Sequence, residues 1–150
     1  MSGTRPSSLP RTWRPLGPRV AGAAAAVVLV VMAMFLWFGF DDETRDTITP
    51  LQQATVIAFG LAALGLLYAL GRSRVVAQTD GLTVVNGYRR RDFEWAEVIA
   101  VRLPPGAPWV TLDLADGSTC AVMGIQGSDG HRARTAVREL RALVDAPPSG

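Results

Sequence analysis

The residues able to carry chemistry in this chain are few and do not form a recognisable set. A single cysteine, Cys120, and a single histidine, His131, exclude an internal disulfide and any zinc site built from His and Cys. Cys120 lies in an alternating apolar run, where a small buried hydrophobe is the expected role rather than half of a Cys-His dyad. Asp113, Asp116, Glu94 and Glu97 fall on expected strands and turns with no base beside them. Gly124 and Gly127 do not make a phosphate-binding loop, and His131 opens a helix. The sequence therefore reads as non-enzymatic, with no cofactor and no metal. What remains is positive charge: Arg89, Arg90 and Arg91 are consecutive, and Arg72 and Arg74 sit just after a long apolar run. Contact with anionic lipid headgroups is the chemistry such residues offer, and solvated edge charge is the alternative. Trp95 is expected in the core. Trp109, following a proline loop, is the candidate for contact with a protein partner.

Those arginines must be positioned by something, and the charge distribution shows what. The chain of 150 residues has a net charge of +2 and carries Arg as its only basic residue besides His131. Residues 1–40 hold four Arg and no acid, and residues 41–50 hold four acids and one Arg. Residues 51–70 hold no charge, and residues 71–150 hold ten Arg against nine carboxylates. A domain so nearly neutral, without exposed aromatics among its Arg run, is not built for nucleic acid.

Residues 1–19, rich in Arg, Pro, Ser and Gly, are expected to form a disordered basic tail. Val20–Phe40 is uncharged and would span about 31 Å as a helix, enough to cross a bilayer. It ends in Trp37, Phe38, Gly39 and Phe40 with no small-x-small cleavage site, so an uncleaved anchor is expected rather than a signal peptide. Leu51–Leu70 is a second span of about 30 Å, apolar on all sides. The acidic connector 41–50 is too short for anything but an antiparallel hairpin. Small residues on the two helices (Gly22, Ala23 and Ala26; Ala58, Ala62, Gly65 and Ala69) would meet at one depth. Arg5, Arg11, Arg14 and Arg19 on one side of the hairpin and Arg72 and Arg74 on the other place both termini in the cytoplasm of a multi-pass plasma-membrane protein, with the connector outside.

Residues 71–146 change to short alternating runs. Strands are expected at Val75–Gln78, Leu82–Val85, Tyr88–Glu94, Glu97–Leu103, Trp109–Leu114 and Thr119–Met123, with a two-residue turn at Asn86-Gly87 and another at Asp116-Gly117. Ile99, Val101 and Leu103 would share a face. After Ser128 or Asp129 as N-cap, a helix buries Ala133, Ala136, Val137, Leu140, Leu143 and Val144 and stops at Pro147-Pro148, leaving a short tail over 147–150. The fold class is thus a membrane protein: a two-helix transmembrane hairpin followed by an α+β domain, a bent antiparallel sheet or partial barrel of six to seven strands capped by one helix.

The segments Val75–Leu103 and Val110–Met123 carry a resemblance to a known family. Gly81, Leu82, Thr83 and Val84, then Trp95, Glu97 and Val98, resemble the pattern of the bacterial pleckstrin-homology-like (PH) membrane proteins of actinobacteria, the low molecular weight protein antigen 6 group among them. The resemblance implies the fold and a membrane location. It also implies kinship with eukaryotic domains that bind phosphoinositides through basic residues at one mouth of a barrel, whereas the turn between the first two expected strands here holds Asp80. Two functions follow as expectations. One is a binding module at the cytoplasmic face that recruits or senses a protein partner or anionic lipid. The other is a structural accessory subunit of a larger membrane complex. The lipid bilayer and a membrane-protein partner or a second copy of the chain are the expected partners.

Overall fold

The computed structural model describes residues 9–148. It divides into two compact units: the chain up to Gly17 together with the chain from Arg72 onward, and the intervening Pro18–Gly71.

The second unit is helical. Helices α1 (Gly17–Gly39) and α3 (Pro50–Arg72) are joined by a short helix α2 (Asp42–Thr47). Asp41 caps α2 by accepting the Thr44 N–H at 2.9 Å, so part of the expected connector is a helical turn. Both long helices are long and apolar enough to cross a membrane. Large apolar side chains stay exposed on every side, Phe35 at 77% and Phe59 at 73% among them, which in water would be an unsustainable surface. The helices touch where Gly22, near the start of α1, faces the Leu67 carbonyl near the end of α3; a Cβ on Gly22 would sit 3.6 Å from that oxygen. The close approach therefore uses Gly22, as the small-residue pattern implies. Ala58 and Ala62, expected at the contact, are exposed, whereas Gly65 is half-buried and Ala69 buried.

The first unit holds seven strands in two antiparallel sheets and a terminal helix. One sheet has the order β1 (Arg11–Trp13), β2 (Arg74–Ala77), β3 (Gly81–Asn86) and β4 (Arg89–Glu94). The other contains β5 (Val98–Arg102), β6 (Trp109–Leu114) and β7 (Thr119–Gln126). Strand β1 corrects the reading of residues 1–19 as structureless: Arg11 pairs with Ala77, Thr12 with Val76 and Trp13 with Val75. Three residues are too few to show alternation, but the β-branched Thr12 and the aromatic Trp13 suit a strand, and Trp13 is buried in the core. Residues 1–8 of that expected tail, and 149–150 of the C-terminal one, lie outside the described residues. In the order of the chain, α1, α2 and α3 are therefore inserted between two hydrogen-bonded neighbours of one sheet.

Valines and leucines of both sheets fill the core: Val75, Leu82, Val84, Val110, Leu112 and Val122 are all at most 1% exposed. The sheets meet where Gly124 crosses β2; a Cβ there would lie 2.7 Å from the Arg74 carbonyl carbon, so only glycine allows the approach. The junction is also bridged by Asn86. Its side-chain amide donates to Ala121 O at 2.6 Å and its Oδ1 accepts the Met123 N–H at 2.9 Å, replacing ladder bonds between β3 and β7. The expected turn at Asn86-Gly87 is shifted by one residue: Asn86 pairs with Arg89, and the loop is Gly87-Tyr88, with Gly87 at φ 60°. Glycine first is what a II′ loop requires. A second shift comes from a bulge between Val98 and Ala100, which buries Val98 and Val101 and turns Ile99 out at 62% exposure, correcting its assignment to the core face.

Helix α4 (His131–Asp145) closes the core with Ala133, Ala136, Val137 and Leu140. Its N-cap is Gly130, and neither Ser128 nor Asp129 caps it. Asp129 instead accepts the backbone N–H groups of Leu16 and Gly17, each at 3.0 Å.

Candidate functional site

Five arginines were expected to meet lipid, and the structure separates them by face. On the four-stranded sheet, Arg74 of β2 and Arg90 of β4 both pair with Val85 of β3, so they flank one residue on the same side. Arg91 pairs with Val84, on the opposite side, as the pleat requires. Arg90 is not a free cation. It chelates Asp92 through three contacts of 2.9 to 3.1 Å, and Asp92 also accepts from the buried Thr83 hydroxyl. The Arg90 hydrogen bonds, then the Thr83 bond, hold the Asp92 carboxyl below the usual carboxylate range. Arg91 lies over the Phe93 ring, 5.0 Å from its centroid. It also reaches towards Cys120 and Asp116. Burial pushes the Cys120 thiol up, with Arg91 opposing; the Asp116 carboxyl is lowered mainly by its bonds to Ser118, with Arg91 adding to the effect.

Arg72, Arg74 and Arg89 make no ion pair among the described residues. One bond links the segments that carry them, with Arg74 on one face of the sheet and Arg89 on the other, the face of Arg91. Ser73, which is 2% exposed, accepts the Gly87 N–H on its hydroxyl at 3.0 Å, tying the β3–β4 loop to the residue between Arg72 and Arg74. Arg89, directly after that loop, is thereby brought to the end of the domain at which the chain arrives from α3. The sequence offered no sign of this role for Ser73, because a lone serine between two arginines has no pattern of its own.

Trp109 stands apart. It is half-buried at the start of β6 and pairs with Gln126, at the opposite end of β6 and β7 from Cys120 and Asp116, so it is not part of the arginine group. Trp95 is buried as expected, and its indole N–H is satisfied by the Gln78 and Thr79 carbonyls at 3.1 and 3.2 Å. Among the described residues, no three His, Cys, Asp or Glu side chains come together as metal ligands would.

The turn that holds Asp80 joins β2 to β3, as expected, while β1 is joined to β2 by the helical insertion, with Arg14 before α1, Arg19 inside it, Arg72 at the end of α3 and Arg74 in β2. The bacterial PH domain family matches residues 72–143. An uncharacterised protein of Mycobacterium bovis is 33% identical over 132 residues, covering 88% of this chain and 84% of its own length. Uncharacterised proteins of two Mycobacterium tuberculosis strains match to the same extent. No solved structure matches the chain.

Proposed function

We propose, from the premise that the chain belongs to the bacterial PH-domain proteins, that it is a non-catalytic binding module held at the cytoplasmic face of the plasma membrane by a transmembrane helix hairpin. One observation carries this reading: β1, before the helices, pairs with β2, after them. A strand cannot pair across a bilayer, so both ends of the insertion share one side if the helices span. The arginines on both flanks, against the single Arg45 in the connector, support the cytoplasm as that side. Arg72, Arg74 and Arg89 then sit where the chain leaves the bilayer, available to anionic headgroups, while Arg90 is already occupied by Asp92. Each basic residue near an anionic surface contributes about 1 kcal/mol, so three give a useful but salt-sensitive attachment rather than an anchor.

A polarity-sensitive dye at Tyr88→Cys, in a Cys120→Ser background, tests this on the full chain in nanodiscs. Emission should shift to the blue in discs containing phosphatidylglycerol relative to neutral discs. The shift should vanish at high salt and in the variant carrying Arg72→Gln, Arg74→Gln and Arg89→Gln. Identical emission in both lipids would contradict headgroup binding and favour a purely structural role for the domain.

A further inference from the structure

The strongest positive charge outside that region lies on α4. His131, Arg134, Arg138 and Arg141 follow one another at spacings of three and four, which places them along one face of the helix. With Leu103, at the end of β5, and Val137 they line a groove of about 390 Å³. Val137 is buried and Leu103 half-buried, so the floor is apolar and the walls are cationic. None of the four makes an ion pair among the described residues. Arg141 is fixed by donating from Nε to Val101 O at 2.9 Å, and Arg138 donates to the Thr135 hydroxyl at 3.3 Å. The acid that α4 does carry in its interior, Glu139, is turned to the other side, where it accepts from the Trp13 indole at 3.0 Å and pairs with Arg11.

Cations adjacent on a helix oppose its formation, and a sequence selected for the fold alone would relieve them with a carboxylate on the same stripe. The one carboxylate at the same spacing, Asp145, is the last residue of the helix, one turn beyond Arg141 and two beyond Arg138, so Arg134 and Arg138 have none beside them on that stripe. We propose that this groove binds an acidic peptide segment of a partner protein, with an apolar side chain seated on Leu103 and Val137 and carboxylates met by Arg134 and Arg138. Charge complementarity selects the occupant's sign. The apolar floor within a concave groove selects a side chain, which can insert, over a flat bilayer, which cannot.

This site is separate from Arg72, Arg74 and Arg89, and its test separates the two. The full chain in neutral phosphatidylcholine nanodiscs is titrated against a fluorescein-labelled peptide of repeated Leu-Glu-Asp, with the amide counterpart Leu-Gln-Asn as control. The acidic peptide should bind at least tenfold more weakly to the variant carrying Arg134→Gln and Arg138→Gln, and unchanged to that carrying Arg72→Gln, Arg74→Gln and Arg89→Gln. A charge-reversed chain, Arg134→Glu with Arg138→Glu, should instead bind a Leu-Lys-Arg peptide. Equal affinity of the wild type and the Arg134→Gln, Arg138→Gln chain, equal binding of the amide peptide, or failure of the charge-reversed pair to switch preference would each overturn the proposal. So would a loss, in the groove variant, of phosphatidylglycerol response rather than of peptide binding.

Discussion

Trp13 illustrates how one residue ties distant parts of the chain together: its ring is buried in the core, and its indole N–H reaches Glu139 on α4. Replacing it with Ala removes a large buried aromatic and strands part of the Glu139 carboxylate. The domain should lose about 3 to 5 kcal/mol, measurable by denaturant unfolding of the full chain in detergent. Asp92 gives a pH-dependent counterpart. Its pKa is lowered in the folded chain by Arg90 and Thr83, so its contribution is fully present above the unfolded carboxylate value of about 3.9 and is lost as pH falls through the lowered one. The Asp92→Asn chain should therefore show a flatter loss of stability below about pH 4 than the wild type, and the same stability difference from pH 6 to 8. Cys120, buried and with its thiol pKa raised by that burial, should react with iodoacetamide only as fast as the domain opens.

At the scale of elements, the junction of β2 with β7 leaves no room for a side chain. Gly124→Ala puts a methyl group 2.7 to 2.8 Å from backbone atoms of Arg74 and Val75, none of which can rotate away. A loss of about 3 kcal/mol or more is expected, with thermal unfolding as the readout. Six of the seven strands, the amphipathic helix and the long apolar helices were legible in the sequence, because each has a period or a length that survives in one dimension. What escaped were features set by partners far along the chain. Strand β1 has only three residues, and its partner strand begins at Arg74, beyond both long helices. The loop at Gly87-Tyr88 moved by one residue because Asn86 is needed in the sheet to bridge to β7, a demand no local turn preference records. Asp129 likewise looked like a helix cap but is engaged by Leu16 and Gly17. For the site, the arginines were visible and their selection was not: only the Asp92 chelate and the Ser73 tie distinguish Arg90 from Arg89.

At the scale of the molecule, if the two long helices span a membrane, their place inside a sheet couples folding to insertion, since β1 and β2 can then pair only when both ends of the hairpin lie on one side. Residues 72–148 alone lack β1 and leave the Trp13 site open. They should bind a hydrophobic dye that the full chain excludes, and a tether joining residues 9–16 to Arg72 should suppress that binding. The most direct measurement is the reaction of single cysteines with a membrane-impermeant thiol reagent in intact cells, in a Cys120→Ser background. Thr12, Thr47 and Ser118, all exposed, report on β1, on the connector and on the β6–β7 turn. Thr47→Cys should be labelled in intact cells, while Thr12→Cys and Ser118→Cys should be labelled only after permeabilisation. Reaction of Thr12→Cys and Ser118→Cys from opposite sides would contradict the pairing of β1 with β2 across the membrane insertion, and labelling of both with protection of Thr47→Cys would contradict the cytoplasmic assignment.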